Sequence, residues 1–245
     1  MPELVFDAER AIPDEMRETW VLRTVLADHL RRYRLARRYV VGRRVLDAAC
    51  GVGYGSAMFQ RAGSRLVVGV DYRFEALRYA QRRYGGPGVC FVQADLDRFE
   101  WPSGAFETVV SLETIEHLRD PRGFIRRVWK RLPPGGVFAV STPIVSTLAE
   151  DVWHLHEWSE HEVRTMVSEV GFVIVDELRA MRSCTGWQLL QAGWRHPQAV
   201  SWRHALRHPL RGLRRALFGW RDWGELMLVT RKPPLDQKAN STGCG

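Results

Sequence analysis

Long apolar runs are missing from this chain of 245 residues, and none approaches the roughly 20 residues a helix needs to cross a bilayer. The start, Met1 to Asp7, lacks the basic and then apolar layout of a secretory leader. Paired cysteines are missing as well. Cys50, Cys90, Cys184 and Cys244 stand apart, which argues against a disulfide framework or a zinc knuckle and for reduced thiols. There is no internal repeat and no low-complexity segment. Together these absences predict a cytoplasmic protein whose contact with a membrane, if it has one, is peripheral at the inner surface. What is present is ordinary for a globular domain: 45% hydrophobic and 26% charged residues, enough to bury one core over residues 1 to 230, with a frayed polar tail from 231 to 245.

The formal charge of +8 is unevenly distributed. Residues 181 to 223 carry Arg182, Arg195, Arg203, Arg207, Arg211, Arg214, Arg215 and Arg221 against the single acid Asp222. The same block holds Trp187, Trp194, Trp202, Trp220 and Trp223, half of the chain's 10 tryptophans. From Pro209, a natural first helical residue, Leu210, Leu213, Leu217 and Trp220 recur at helical spacing with arginines between them, so the spacing predicts a basic amphipathic helix over 209 to 220. Such a helix suits an anionic membrane surface, a phosphorylated or nucleotide-linked substrate, or a solvated face over a packed cap. RNA is a weaker fit, because no RNA-binding motif accompanies the block. The block is too short and polar to form its own core and reads as a helical cap inserted before the last strand.

Elsewhere the periodicity alternates. Residues 13 to 40 show helical apolar spacing and predict a helical cover. Strand-like runs follow at 44 to 49, 66 to 71, 89 to 94, 107 to 112, 136 to 141 and 172 to 177, with helical patterns between them, and a last apolar run spans Leu226 to Val229 without a crossover helix of its own. This predicts an α/β protein with a doubly wound, mostly parallel seven-stranded sheet whose last strand is antiparallel.

Ligands of such sheets bind beyond the carboxyl ends of the strands, and three acids fall there: Asp47, Asp71 and Asp95. Between the first two runs Gly51 and Gly53 lack a Cβ, so the chain can turn tightly and admit a ligand to its backbone. Asp71 lies about 20 residues beyond the turn, the spacing at which an acid meets ribose hydroxyls. Asp47 is a candidate acceptor for an ammonium, and Asp95 for an adenine amino group, with the Leu96 N–H facing the ring. A nicotinamide site fits less well: its G-x-G-x-x-G pattern is met only if Ser56 replaces the last glycine, and it requires no acid before the turn. A strand-to-helix turn without a ligand is the bland alternative.

On these residues, together with Ser111 to Leu118 and Leu132-Pro133-Pro134-Gly135-Gly136, residues 29 to 180 resemble a class I S-adenosylmethionine (SAM)-dependent methyltransferase, with Ala49 where many relatives have glycine. More narrowly, His29 to Tyr33, Ala48 to Ser56 and a downstream His-x-x-Glu are similar to bacterial O-methyltransferases of sugar and polysaccharide biosynthesis. The resemblance implies SAM as cofactor, with Leu112 and Glu113 lining the methionine pocket. It implies O-methylation of a sugar, glycan precursor or lipid-linked small molecule.

Methyl transfer to a hydroxyl requires proton removal, for which histidine is suited. His117, His154 and His156 lie after the fourth and fifth strands at the ligand edge, and the order of candidates for the base is His117, then His154. Glu113, Glu116 and His117 also form E-x-x-E-H. That pentad holds a divalent ion in small-RNA 2'-O-methyltransferases and recurs in ubiquinone-biosynthesis methyltransferases, but it is common in metal-free relatives too, so no metal is assigned. An RNA 2'-O-methyltransferase and a non-catalytic SAM-binding protein are the alternatives. Arg32 is a candidate for the SAM carboxylate, or else one of a run of solvated arginines. Tyr72 is a candidate to pack on adenine, or an ordinary surface aromatic.

Overall fold

The computed structural model describes residues 20–144, 155–185 and 220–234, with side chains over 26–144, 155–180 and 224–234. The remaining stretches, which include His154 and most of the Arg/Trp block, lie outside the described residues.

The first described element is α1 (Trp20–Ala36), continued by a 3-10 turn at Arg37–Tyr39. Its buried residues, Leu26, Asp28, Arg32, Tyr33, Leu35 and Ala36, follow helical spacing. Then come β1 (Arg44–Ala48), α2 (Tyr54–Arg61), β2 (Leu66–Asp71), α3 (Phe74–Tyr84), β3 (Val89–Gln93), β4 (Thr108–Leu112), α4 (Pro121–Arg131), β5 (Val137–Ile144), α5 (Glu160–Glu169), β6 (Val173–Thr185) and β7 (Trp220–Arg231). The strands form one seven-stranded sheet in the order β3-β2-β1-β4-β5-β7-β6. β1 to β5 pair in parallel, and β7 is antiparallel to both of its neighbours. The predicted architecture therefore holds.

Central strands are apolar because both faces of the sheet are covered. Every residue of β4 is buried, and one core cluster joins Val109, Phe138, Val140 and Leu228 to Phe124 and Val128 of α4 and Met166 of α5. A second lies across the sheet, where Val110, Ala139, Met227 and Val229 meet Tyr33 and Leu35 of α1 and Phe59 of α2. Helix starts are fixed chemically: Asp120 caps α4 ahead of Pro121, and Ser159 and Glu162 close a capping box on α5.

Two boundaries differ from expectation. β6 and β7 are longer than their apolar cores, so Arg182 and Arg221 to Trp223 belong to strands, and Trp220 opens β7 instead of ending a helix. Long-range pairing overrides local spacing here. β5 pairs with β7 only as far as Ile144↔Gly224, while β6 and β7 continue alone to Thr185↔Trp220. This two-stranded extension passes beyond the carboxyl end of β5, on the ligand edge, and bears both ends of the segment 186–219. Arg231 and Lys232, assigned to the tail from the sequence, are tied to the domain. Arg231 pairs with Val137, and the Lys232 ammonium donates to the Trp129 and Leu132 carbonyl oxygens, each at 2.8 Å.

Candidate functional site

The turn after β1 is built from left-handed backbone. Ala49 has φ 63°, Gly51 54° and Gly53 80°. A Cβ on Gly53 would come within 2.6 Å of Ala80 Cβ, whereas one on Gly51 would meet no atom within 4 Å, so the backbone there faces open space. Asp71, at the end of β2, ties the turn down: one carboxylate oxygen accepts the Gly51 N–H at 2.8 Å and the other the Arg73 N–H at 3.0 Å. Asp47 is only 1% exposed and accepts the Ser56 hydroxyl at 2.6 Å. Burial pushes its carboxyl up to about 7, although the Ser56 bond lowers it. Asp95 follows β3 and accepts the Asp97 N–H at 2.9 Å in a local turn. Leu96 is buried, and Tyr72 is 72% exposed beside Asp71.

The opposite half of the edge is assembled from distant elements. Leu112 ends β4 and is buried; Glu113 follows with φ 51°, a conformation that costs a non-glycine residue about 1–3 kcal/mol. Ser141 of β5 holds it there, donating its hydroxyl to Glu113 Oε1 at 2.7 Å while its oxygen accepts the Glu113 N–H at 3.1 Å. Arg32 of α1 is 1% exposed. Its Nη1 pairs with Glu225 Oε2 of β7, and its Nε lies 3.9 Å from Glu113 Oε1. Among the described residues Nε and Nη2 of Arg32 have no hydrogen-bond partner. Burial opposes the Arg32 charge, but Glu113 and Glu225 raise its pKa above the ordinary value. Glu225 is pushed up to about 7 by burial and by Glu113, with Arg32 opposing. His29, one turn before Arg32, is lowered to about 4 by burial and by the arginine charge, so it is neutral at pH 7. Its Nδ1 is 3.4 Å from the Tyr54 hydroxyl.

The pentad continues into a 3-10 turn, Ile115–His117. Glu116 is 1% exposed and accepts the Thr142 hydroxyl at 3.0 Å. Burial, then the Glu113 charge, holds its carboxyl well above the usual range. Its backbone carbonyl accepts the N–H groups of Leu155 and His156, which docks the chain after β5 against the pentad. The His117 side chain is 37% exposed, with Nε2 3.9 Å from Glu116 Oε1. His156 is engaged elsewhere: its Nε2 is 3.0 Å from the Leu118 carbonyl oxygen and its ring stacks on Trp158. No three His, Cys, Asp or Glu side chains cluster as metal ligands among the described residues, and His154 lies outside them.

The structure thus brings Asp71 to the glycine turn, and Arg32 to Glu113, but leaves Tyr72 on the surface. Glu225 was missed by the sequence reading. A usable signal existed, because the first residues of an antiparallel last strand fall on the edge where the parallel strands end, and Glu225 is the acid that opens that apolar run.

A glycine turn and strand-end acids at the carboxyl ends of β1 to β4, with the buried Arg32 beside them, form the candidate ligand site of a doubly wound sheet. Residues 46–140 match the family model described as a methyltransferase domain. The chain is 32% identical over 181 residues to a probable S-adenosylmethionine-dependent methyltransferase of Mycolicibacterium smegmatis, covering 71% of this chain and 68% of that protein. A Mycobacterium tuberculosis protein of the same description is 32% identical over 70% of this chain and 62% of its own length. The YcgJ protein of Bacillus subtilis has a similar fold, with TM-score 0.68 and 17% identity over 84% of this chain and 100% of that one. The chain belongs to the SAM-dependent methyltransferases, of class I by its sheet, and SAM is its cofactor.

Proposed function

We propose that this methyltransferase acts on an oxygen of a sugar, a glycan precursor or a lipid-linked small molecule. When bound, SAM supplies a sulfonium-activated methyl group, so the chain's own task is to orient the reactants, exclude water and take up a proton. The residues present fit it. Asp71 would meet the ribose hydroxyls, Asp95 and the Leu96 N–H the adenine edge, and Tyr72 its face. Gly51 and Gly53 would admit the amino-acid end to the backbone, beside Leu112. The buried Nε and Nη2 donors of Arg32 suit a carboxylate, and Glu113 suits the ammonium. Asp47, bonded to Ser56 and raised to about 7, would fix the turn from inside instead of meeting the ammonium.

The observation that carries an oxygen acceptor is the exposed imidazole of His117 at the carboxyl end of β4, its Nε2 3.9 Å from Glu116 Oε1. His117 would receive the hydroxyl proton as the new bond forms. The Arg/Trp block supports an anionic acceptor through its charge, and peripheral contact with an anionic membrane on the same ground. The test is SAM turnover against nucleotide sugars and lipid-linked glycans. We expect turnover with one of these acceptors, and a fall of about 100-fold on His117→Ala at unchanged SAM affinity. Turnover with RNA alone, abolished by chelator and restored by Mg, would contradict this reading.

A further inference from the structure

We propose that Glu225 of β7 is a positioning residue for cofactor binding: by holding Nη1 of Arg32, it presents the Nε/Nη2 edge of the guanidinium to the carboxylate of SAM. The inference rests on the reading above, in which Arg32 meets that carboxylate.

A guanidinium is a planar fork, and its Nε and Nη2 hydrogens point the same way, along the edge that grips a carboxylate with two parallel bonds. Arg32 is 1% exposed, and among the described residues it is this edge that has no hydrogen-bond partner. Oε1 of Glu113 is 3.9 Å from Nε, beyond hydrogen-bonding distance, and is itself bonded to Ser141. Two such donors left bare in an interior are costly, which marks a fork shaped for a ligand.

The opposite end of the group is fixed. Glu225 Oε2 takes Nη1, and Glu225 is itself locked in β7, opposite Pro143 of β5 on one side and Ala180 of β6 on the other. Arg32 sits on a helix whose side chain has four rotatable bonds, so without that anchor the guanidinium can turn its fork away. Glu225 also faces the buried cation before the cofactor arrives, its carboxyl raised to about 7 by burial and then by Glu113, with Arg32 opposing. Glu113 and Glu225 differ in what they can touch: the first lies on the fork side, the second on the far side.

Calorimetric titration of the full chain with two probes tests this. S-adenosylhomocysteine carries the carboxylate, and S-adenosyl-3-thiopropylamine is the same molecule without it. Glu225→Met should weaken the first at least tenfold and the second less than twofold. Glu225→Gln, which keeps an acceptor oxygen, should restore the first to within threefold of the parent. If Glu225→Met does not fold, Glu225→Asp, one methylene shorter, should lose three- to fivefold on the first probe alone. Equal weakening of both probes would mean a merely structural role, and tighter binding in both Met and Gln variants would mean that Glu225 only repels the carboxylate; either overturns the proposal. Failure of the parent protein to discriminate between the probes would instead overturn the assignment of Arg32.

Discussion

The two halves of the ligand edge are built on different principles. At the ends of β2 and β3, acids are satisfied by the backbone: Asp71 takes the Gly51 and Arg73 N–H groups, and Asp95 that of Asp97. Around β4 to β7, acids and a cation satisfy one another across long sequence separations, Arg32 reaching Glu225 and lying near Glu113. The first half is a rigid cradle that exists once two neighbouring strands pair. The second is a charge balance that exists only in the finished fold, with one arginine against two crowded carboxylates. A nucleoside, constant and largely neutral, suits the former; a zwitterionic amino-acid end suits the latter.

The largest expected effect tests the cradle. Asp71→Ala removes the acid proposed for the ribose and also releases the Gly51 N–H, and it should weaken SAM binding at least tenfold, since hydrogen bonds to a charged group contribute about 1.5–3 kcal/mol each. Calorimetry showing unchanged affinity would remove Asp71 from the site and blur the contrast between the halves.

A pH measurement sharpens the comparison by isolating one buried acid. Asp47 is raised to about 7, against about 3.9 unfolded. Between those values the folded chain holds a proton that the unfolded chain releases, so this group's contribution to stability falls as pH rises through the window. Glu225, raised to about 7, acts in the same direction. His29, lowered to about 4, acts oppositely between about 4 and 6.5, because there the unfolded chain binds the extra proton. Asp47→Asn deletes one falling contribution. In urea unfolding at pH 5 and pH 7 the variant should therefore gain on the parent as pH rises, by at most about 1.4 kcal/mol per pH unit. Parallel pH profiles would mean that Asp47 is ionised in the folded chain.

The smallest effect lies in the turn itself. Ala49 sits at φ 63°, where a Cβ costs about 1–2 kcal/mol and glycine costs nothing sterically. After the entropy of a freer unfolded chain is subtracted, Ala49→Gly should stabilise by about 0.5–1 kcal/mol in denaturant unfolding. A loss of stability would show that the alanine methyl contributes packing worth more than the strain.

The same contrast explains what could be read from the sequence. The cradle is local: the Val45 to Ser56 turn, the acid some 20 residues on and Asp95 each sit at a strand end that apolar runs disclose, and the mostly parallel sheet follows from the alternation. Glu225 was hidden because no short-range pattern links position 32 to position 225. The outer reaches of β6 and β7 were hidden because arginine, serine and aspartate break the apolar run there, and the ladder of paired backbone groups decides. Asp47 was placed at the correct strand end, but its bond to Ser56 depends on how α2 packs on β1.

The division of labour along the edge is tested most directly by titrating 5'-methylthioadenosine and S-adenosylhomocysteine into two variants, Asp71→Ala and Arg32→Met. Our account predicts that Asp71→Ala weakens both ligands, whereas Arg32→Met weakens only S-adenosylhomocysteine, the one that carries the amino-acid end. Equal losses for both ligands in Arg32→Met would contradict it.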